Sequence, residues 1–271
     1  MILNTVINIL IVLVIVLLIV LIIGRINLLL QFRSQVKLLF ASSTKQITAT
    51  YSMSQLIGLP APVQLYFKKV LSEGQSYINK VSMTHTGLFK TGKDKGWVRI
   101  KGEQYATTEK PGFIWKGTTA LFTARDMFLE DKGHLIVSLF AVFNVVNGSG
   151  MEYDQGELSR WLAESVLYPT NLLPSERLQW TAIDATHARI IFKYLSISLF
   201  FIVTFNAAGE ITELETKRFM DDKNLETWIV KVADYTYRNS ILVPTYFEVM
   251  WRLKDKDLCY AKFKMKKIKY S

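Results

Sequence analysis

The sequence predicts a mainly β (α+β) protein: an N-terminal transmembrane helix followed by one strongly curved antiparallel sheet, a half-open barrel with helices over its mouth. Three observations carry this. Residues 2–23 form a nearly unbroken apolar run, and from Ile9 to Ile23 every residue is Ile, Leu or Val. From Ile78 onward, runs rich in β-branched and aromatic residues alternate with short turns, the signature of strands. One short helical pattern precedes them at about 62–72 and one interrupts them at about 154–165.

The first run has about 22 residues, which at about 1.5 Å per residue spans the roughly 30 Å hydrocarbon core of a bilayer. A helix apolar on every side has no face for water. No Lys or Arg precedes Arg25 and no small-residue cleavage pattern follows the run, so it reads as an uncleaved anchor rather than a signal peptide. Arg25, Arg33, Lys37 and Lys45 follow it, and the positive-inside rule then favours a cytoplasmic C-terminal domain in the cell membrane. The expected organisation is an anchor over 1–24, an amphipathic connector over 25–56 and a curved-sheet domain over 57–271. In the connector, Leu29, Phe32, Val36, Leu39 and Phe40 recur at helical spacing with Arg33 and Lys37 between them, as in a helix leaving the bilayer along its interface. The polar cluster 41–44 is expected to break that helix.

Beyond it, Pro60 and Pro62 open an amphipathic helix carrying Val63, Tyr66, Phe67 and Val70, which Gly74 stops. Strands are expected at 80–90, 97–107 and 113–115. In the strand at 121–130, Phe122, Ala124, Asp126 and Phe128 share one face, which sets one acid in an apolar row. A single long strand is expected over 134–147. In the helix that follows, Asp154 is placed to cap and Glu157 stands three residues on, a capping-box pattern. Its Leu158, Trp161 and Leu162 form an apolar face, and Glu157, Arg160 and Glu164 lie beside it at pairing distances. Seven strands then follow, at 178–184, 188–195, 197–205, 210–218, 227–237, 243–254 and 258–270, joined by short turns. Long sequential strands of this kind predict an antiparallel meander.

The chain of 271 residues carries a formal net charge of +10, with 13 % aromatic residues. No zinc-ligand cluster, RNP-like motif or Gly-rich phosphate loop is present, which leaves no basis for a nucleic-acid partner or for a cofactor. A basic domain tethered beside anionic lipid gains about 1 kcal/mol per basic residue near the surface, so membrane lipid is the expected partner. One cysteine, Cys259, excludes an intrachain disulfide framework.

Three segments resemble an uncharacterised bacterial domain family: Leu59-Pro-Ala-Pro-Val-Gln-Leu-Tyr-Phe; Asp154-Gln-Gly-Glu-Leu-Ser-Arg-Trp-Leu-Ala-Glu with Tyr168-Pro-Thr-Asn-Leu-Leu-Pro; and Ala233-Asp-Tyr with Val243-Pro-Thr and Glu248-Val. That family implies no activity. Glu109-Lys-Pro-Gly-Phe-Ile-Trp and Phe205-Asn-Ala-Ala-Gly-Glu-Ile are similar to segments of Lol-type lipoprotein carriers. The resemblance to those carriers implies a half-open barrel that holds acyl chains in an apolar cavity.

The leading functional expectation is a membrane-anchored, non-catalytic domain that binds a lipid or lipid-linked group. Its candidate ligand contacts are Trp115, Asp126, Phe128, Glu157, Leu158, Trp161, Leu162 and Glu164. Two alternatives remain: a hydrolase or transferase using Asp126, Glu157 or Glu164 as acid and base, and a scaffold for a membrane protein partner. For the carboxylates, the simpler role is that Glu157 caps its helix while Arg160 pairs Glu164 or Glu157 at the surface. In the last strand, Lys262, Lys264 and Lys266 face one side and Phe263 and Met265 the other. With Arg33 and Lys37 these lysines are candidates for contact with lipid headgroups; otherwise they guard a sheet edge.

Overall fold

The computed structural model describes residues 2–43, 47–221, 223–254 and 256–271. Among the described residues there are three α-helices, α1 (Ile2–Ser42), α2 (Ala61–Val70) and α3 (Met151–Ala163), with single 3-10 turns at Met53–Leu56, Glu164–Leu167 and Pro169–Leu172. The strands are β1 (Lys80–Phe89), β2 (Val98–Thr107), β3 (Gly112–Thr118), β4 (Phe122–Leu129), β5 (Lys132–Leu139), β6 (Phe143–Ser149), β7 (Leu178–Ala182), β8 (His187–Tyr194), β9 (Ile197–Phe205), β10 (Ile211–Phe219), β11 (Leu225–Arg238), β12 (Ile241–Arg252) and β13 (Asp257–Tyr270).

All thirteen strands join one antiparallel sheet in the order β6-β5-β4-β3-β2-β1-β13-β12-β11-β10-β9-β8-β7. The sheet is not closed: β6 and β7 are its edges. It is two meanders stitched together where β1 pairs with β13, Val81 opposite Tyr270. Because every pairing is antiparallel, alternate turns fall at the same end. The β1–β2, β3–β4, β5–β6, β8–β9, β10–β11 and β12–β13 turns share one end, here the upper end. The other turns share the lower end.

α1 is continuous through Gly24, and the apolar residues from Ile2 to Val20 are exposed along it. At about 1.5 Å per residue it is about 60 Å long. Its second half runs down the outer face of the sheet. Gly24 touches Ala141 and Val142 in the β5–β6 turn at the upper end, and Leu39 reaches Gly112 at the lower end. Phe32 and Leu39 bury themselves against Ile114 and Met127 as a small second core, and Gln35 accepts a hydrogen bond from Arg125 beneath it at 3.2 Å. The helix ends at Ser42, inside the expected polar break; Thr44 and Lys45 lie outside the described residues.

The main core fills the lower part of the inner face. α2 turns Val63, Tyr66, Phe67 and Val70 inward, with Phe67 edge-on to Trp180 and Tyr66 to Phe205. Lys69 pairs Glu210 in the β9–β10 turn at 2.9 Å, which pins α2 to the lower end. α3 packs on the inner face and touches strands in both halves of the sheet, mostly β5 and β10. Its Leu158, Trp161 and Leu162 are buried, and the Trp161 indole donates to the Thr107 carbonyl at 2.8 Å.

Three expectations are corrected. Residues 134–147 are a hairpin, not one strand: Phe140 and Ala141, at φ 51° and 63°, turn the chain between β5 and β6. α3 starts one turn before Asp154, after Gly150, so Asp154 is no cap. Its carboxylate instead accepts from the Gly133 amide at 2.7 Å and pairs Lys132 at 3.0 Å, tying the helix to β5. Finally, β13 lies mid-sheet between β1 and β12, so its lysines guard no edge.

Candidate functional site

Toward the upper end the inner face is unfilled, leaving a cavity of about 720 Å³. Its walls come from β1–β6 on one side and β10–β13 on the other, and they are largely apolar: Trp115, Val137, Phe247, Val249, Trp251 and Phe263 are examples. Thr91, Leu121 and Asp221, from three upper-end turns, are solvent-exposed lining residues and mark the mouth. α3 lies beneath the cavity, between it and the core, not across those turns.

The helix periodicity explains this position. Leu158, Trp161 and Leu162 point into the core, while Glu152, Gly156, Glu157, Arg160 and Glu164, roughly one turn apart, line the cavity. The floor is therefore charged. Arg160 donates to Glu164 Oε1 at 2.8 Å, to Gln104 at 3.3 Å and to Asp126 Oδ2. Its guanidinium sits 4.8 Å from the Trp115 ring centre and 5.0 Å from that of Phe113. Gln104 also donates to Glu164. Arg218, from the end of β10, donates to Glu157 Oε1 at 3.0 Å and to the Gly156 carbonyl at 2.9 Å. It lies 4.8 Å from the Trp228 ring centre.

Burial pushes the Glu157 carboxyl well above its ordinary range, Asp126 adds to the rise, and Arg218 and Arg160 oppose it. Asp126 Oδ1 and Glu157 Oε2 are both buried and neither has a hydrogen-bond partner. A proton on Glu157 would satisfy both oxygens and remove one buried negative charge, the direction in which burial moves this group. Burial works against the charge of Arg160, but Glu164, Asp126 and Glu157 outweigh it and raise its pKa. Behind the Trp115 wall, His85 accepts from the Trp115 indole at 2.7 Å. Burial, then the charge of Arg160, pulls its pKa down to about 3, so the ring is neutral.

Of the expected ligand contacts, Trp115, Asp126, Glu157 and Glu164 line the cavity. Phe128, Leu158, Trp161 and Leu162 do not: they are buried in the core below, where α3 and the lower half of β4 meet. The surface role for Arg160 and the capping role for Glu157 are both replaced by the buried network. Arg33 and Lys37 are exposed on α1. Lys264 is exposed on the outer face of the sheet, Lys266 is exposed at a bulge in β13, and Lys262 pairs Glu248 at 2.7 Å. Sequence reasoning missed Arg218, Trp228 and Trp251. The two tryptophans stand directly opposite each other on β11 and β12, and that pairing exists only once the strands are in register.

A comparison with curated proteins found no sequence match. In structure the chain is similar to a LolA superfamily protein from Nitrosomonas europaea, with 9 % identity, a TM-score of 0.43, and 77 % of this chain and 91 % of that one covered. It is also similar to a domain assigned to outer membrane lipoprotein sorting from Vibrio parahaemolyticus, with 8 % identity, a TM-score of 0.40, and 71 % and 85 % covered. The model of the family of unknown function DUF6544 matches residues 49–263, which take in all of the sheet's cavity-lining strands except the end of β13, and the chain belongs to that family.

Proposed function

We propose that this protein is a membrane-anchored, non-catalytic binding domain for an amphipathic lipid or lipid-linked group. The observation that carries the reading is the cavity itself: about 720 Å³, within the range of small-molecule sites, with apolar walls and one charged floor. An acyl chain suits the walls. A polar headgroup would exchange hydrogen bonds with the Arg160 and Arg218 network.

In this reading the sheet is a half-open barrel. α3 touches both β5 and β10, eight positions apart in the sheet order. Laid flat, eight strand spacings would cover about 38 Å, whereas α3, with 13 residues, is only about 20 Å long. The sheet must wrap for one helix to reach both, with α3 as the floor of the trough. Residues 1–24 serve as the anchor, 25–56 as the connector and 57–271 as the binding domain. A retained anchor is favoured because α1 runs unbroken past Gly24 and folds Phe32 and Leu39 into the domain. Arg25, Arg33 and Lys37 on its C-terminal side favour the cytoplasmic face.

One observation favours an enzymatic alternative, action on a lipid-linked substrate: Glu157 is a carboxyl in a cavity floor whose pKa burial raises, the shift a general acid needs. Against it, Arg218, Arg160 and Asp126 occupy the oxygens that would have to work. Native mass spectrometry of protein extracted in mild detergent tests the binding reading. A discrete added mass of lipid size, released by collisional activation, is the expected result. Empty protein from lipid-replete membranes would refute it.

A further inference from the structure

The upper end of the domain carries exposed apolar tips, some of which the core does not use. We infer that this end docks on the bilayer from which α1 emerges, with the β5–β6 hairpin tip inserted among the lipids, so that the cavity mouth opens onto the membrane. The inference rests on reading α1 as a membrane helix.

Four observations converge. First, the apolar run of α1 leaves the domain at this end: Gly24, which directly follows it, packs against Ala141 and Val142 of the hairpin tip. If that run spans the bilayer, the tip lies at its surface. Second, the neighbouring tips are apolar and in water: Leu121 is 60 % exposed, Phe140 49 %, Phe143 66 % and Val145 54 %. The Phe140 amide donates to the Leu121 carbonyl at 2.9 Å, so two tips make one patch. Third, the tip is built at a steric cost. Phe140 and Ala141 adopt left-handed φ values of 51° and 63°, positions where Asn-Gly is the ordinary choice. A polar turn would have been easier to fold; Ala141 and Val142 serve the contact with Gly24, which leaves the exposed Phe140 and Phe143 rings to answer to something outside the fold. Fourth, basic residues flank the patch. Lys90, Lys93 and Lys95 outnumber Asp94 in and beside the β1–β2 turn, and Arg25 lies on α1 beside the hairpin tip, whereas the β10–β11 turn, with Asp221, Asp222 and Lys223 in its sequence, is net acidic. Apolar tips flanked by lysines match a bilayer with anionic headgroups rather than an aqueous surface.

Leu121, Val145 and Val146 belong both to this end and to the cavity lining. Docking would therefore let a lipid pass from leaflet to cavity without crossing water. Lys264 and Lys266 lie further down β13. At about 3.4 Å per residue they stand well over a Debye length of about 8 Å from that surface.

The test uses the full chain with Cys259→Ser, reconstituted in vesicles containing anionic phospholipid. An environment-sensitive fluorophore is attached at Phe143→Cys or, as a control at the lower end, at Ser240→Cys. The expected result at 143 is strong quenching by brominated lipid and at least fivefold protection from aqueous iodide, with neither at 240. Equal iodide access at both sites overturns the inference. So does protection at 143 without quenching by brominated lipid, which would mean that protein covers the tip. Lys93→Gln with Lys95→Gln should weaken the lipid quenching at 143, whereas Lys264→Gln with Lys266→Gln should not. Unchanged melting temperatures show that the variants fold. If native mass spectrometry finds bound lipid while 143 stays in water, docking fails and the binding reading stands. The reverse outcome refutes binding and keeps docking.

Discussion

Gly24 of α1 lies directly against Ala141 in the β5–β6 turn: a Cβ at Gly24 would fall 2.8 Å from the Ala141 carbonyl oxygen and equally close to Val142 Cγ2. Contact this close requires a residue without a side chain. Gly24→Leu should lever the helix off the tip while Phe32 and Leu39 keep their hold lower down. The expected outcome is about tenfold faster hydrogen exchange at 140–146, equivalent to about 1.4 kcal/mol of local opening, with little change in global melting. Unaltered exchange would show that the helix does not brace the hairpin.

Glu157 carries a pH signature. Its folded-state pKa is raised, so its contribution to stability is fully present below the ordinary value near 4.5 and is lost as pH rises through the folded value. Glu157→Gln keeps a donor toward Asp126 and an acceptor for Arg218, and it has no proton to lose. The melting temperature of the variant relative to wild type should climb as pH increases above 4.5. A difference that stays flat with pH would contradict the shared proton.

His85 should act in the opposite direction. Its folded pKa is lowered to about 3, so the stability linked to its neutral ring is present above about 6.5 and drains as pH falls toward 3. The slope from this one site is at most about 1.4 kcal/mol per pH unit. His85→Gln offers the Trp115 indole an acceptor without titrating. Its stability deficit against wild type should therefore shrink on acidification from pH 6.5, as denaturant titrations at each pH would read. A constant deficit would mean that the ring does not stay neutral.

Trp161 separates core from cavity. Its side chain is buried and its indole is bonded to Thr107, yet it does not line the cavity. Trp161→Ala should cost about 3–5 kcal/mol by chemical denaturation, while the folded fraction keeps its full lipid content. Loss of lipid with undiminished stability would place Trp161 in the pocket instead.

Much of this fold was legible because it rests on periodicity. The apolar run of α1, the meander from 178 to 270 and the inner row of β4 follow from patterns of 3.6 and 2 residues. The β5–β6 hairpin was not legible, since Phe140 and Ala141 carry no turn chemistry. The start of α3 was missed because Gly150 precedes it with no side-chain cap, while Asp154 looks like one. Half of the site could be read from the sequence. The helical spacing of Glu157, Arg160 and Glu164, with Asp126 in an apolar row, marks residues that meet. Arg218 could not be read, because it reaches Glu157 from a strand 61 residues away through the wrap of the sheet.

The central claim is that the cavity holds a lipid, and the most direct measurement is retained lipid in wild type against Ala124→Trp after exhaustive detergent exchange. Ala124 lines the cavity on the same face of β4 as Phe122 and Asp126, so an indole there would project into the free volume. Close to one lipid per wild-type molecule is expected, and almost none in a variant of unchanged melting temperature. Equal lipid in both proteins would contradict it.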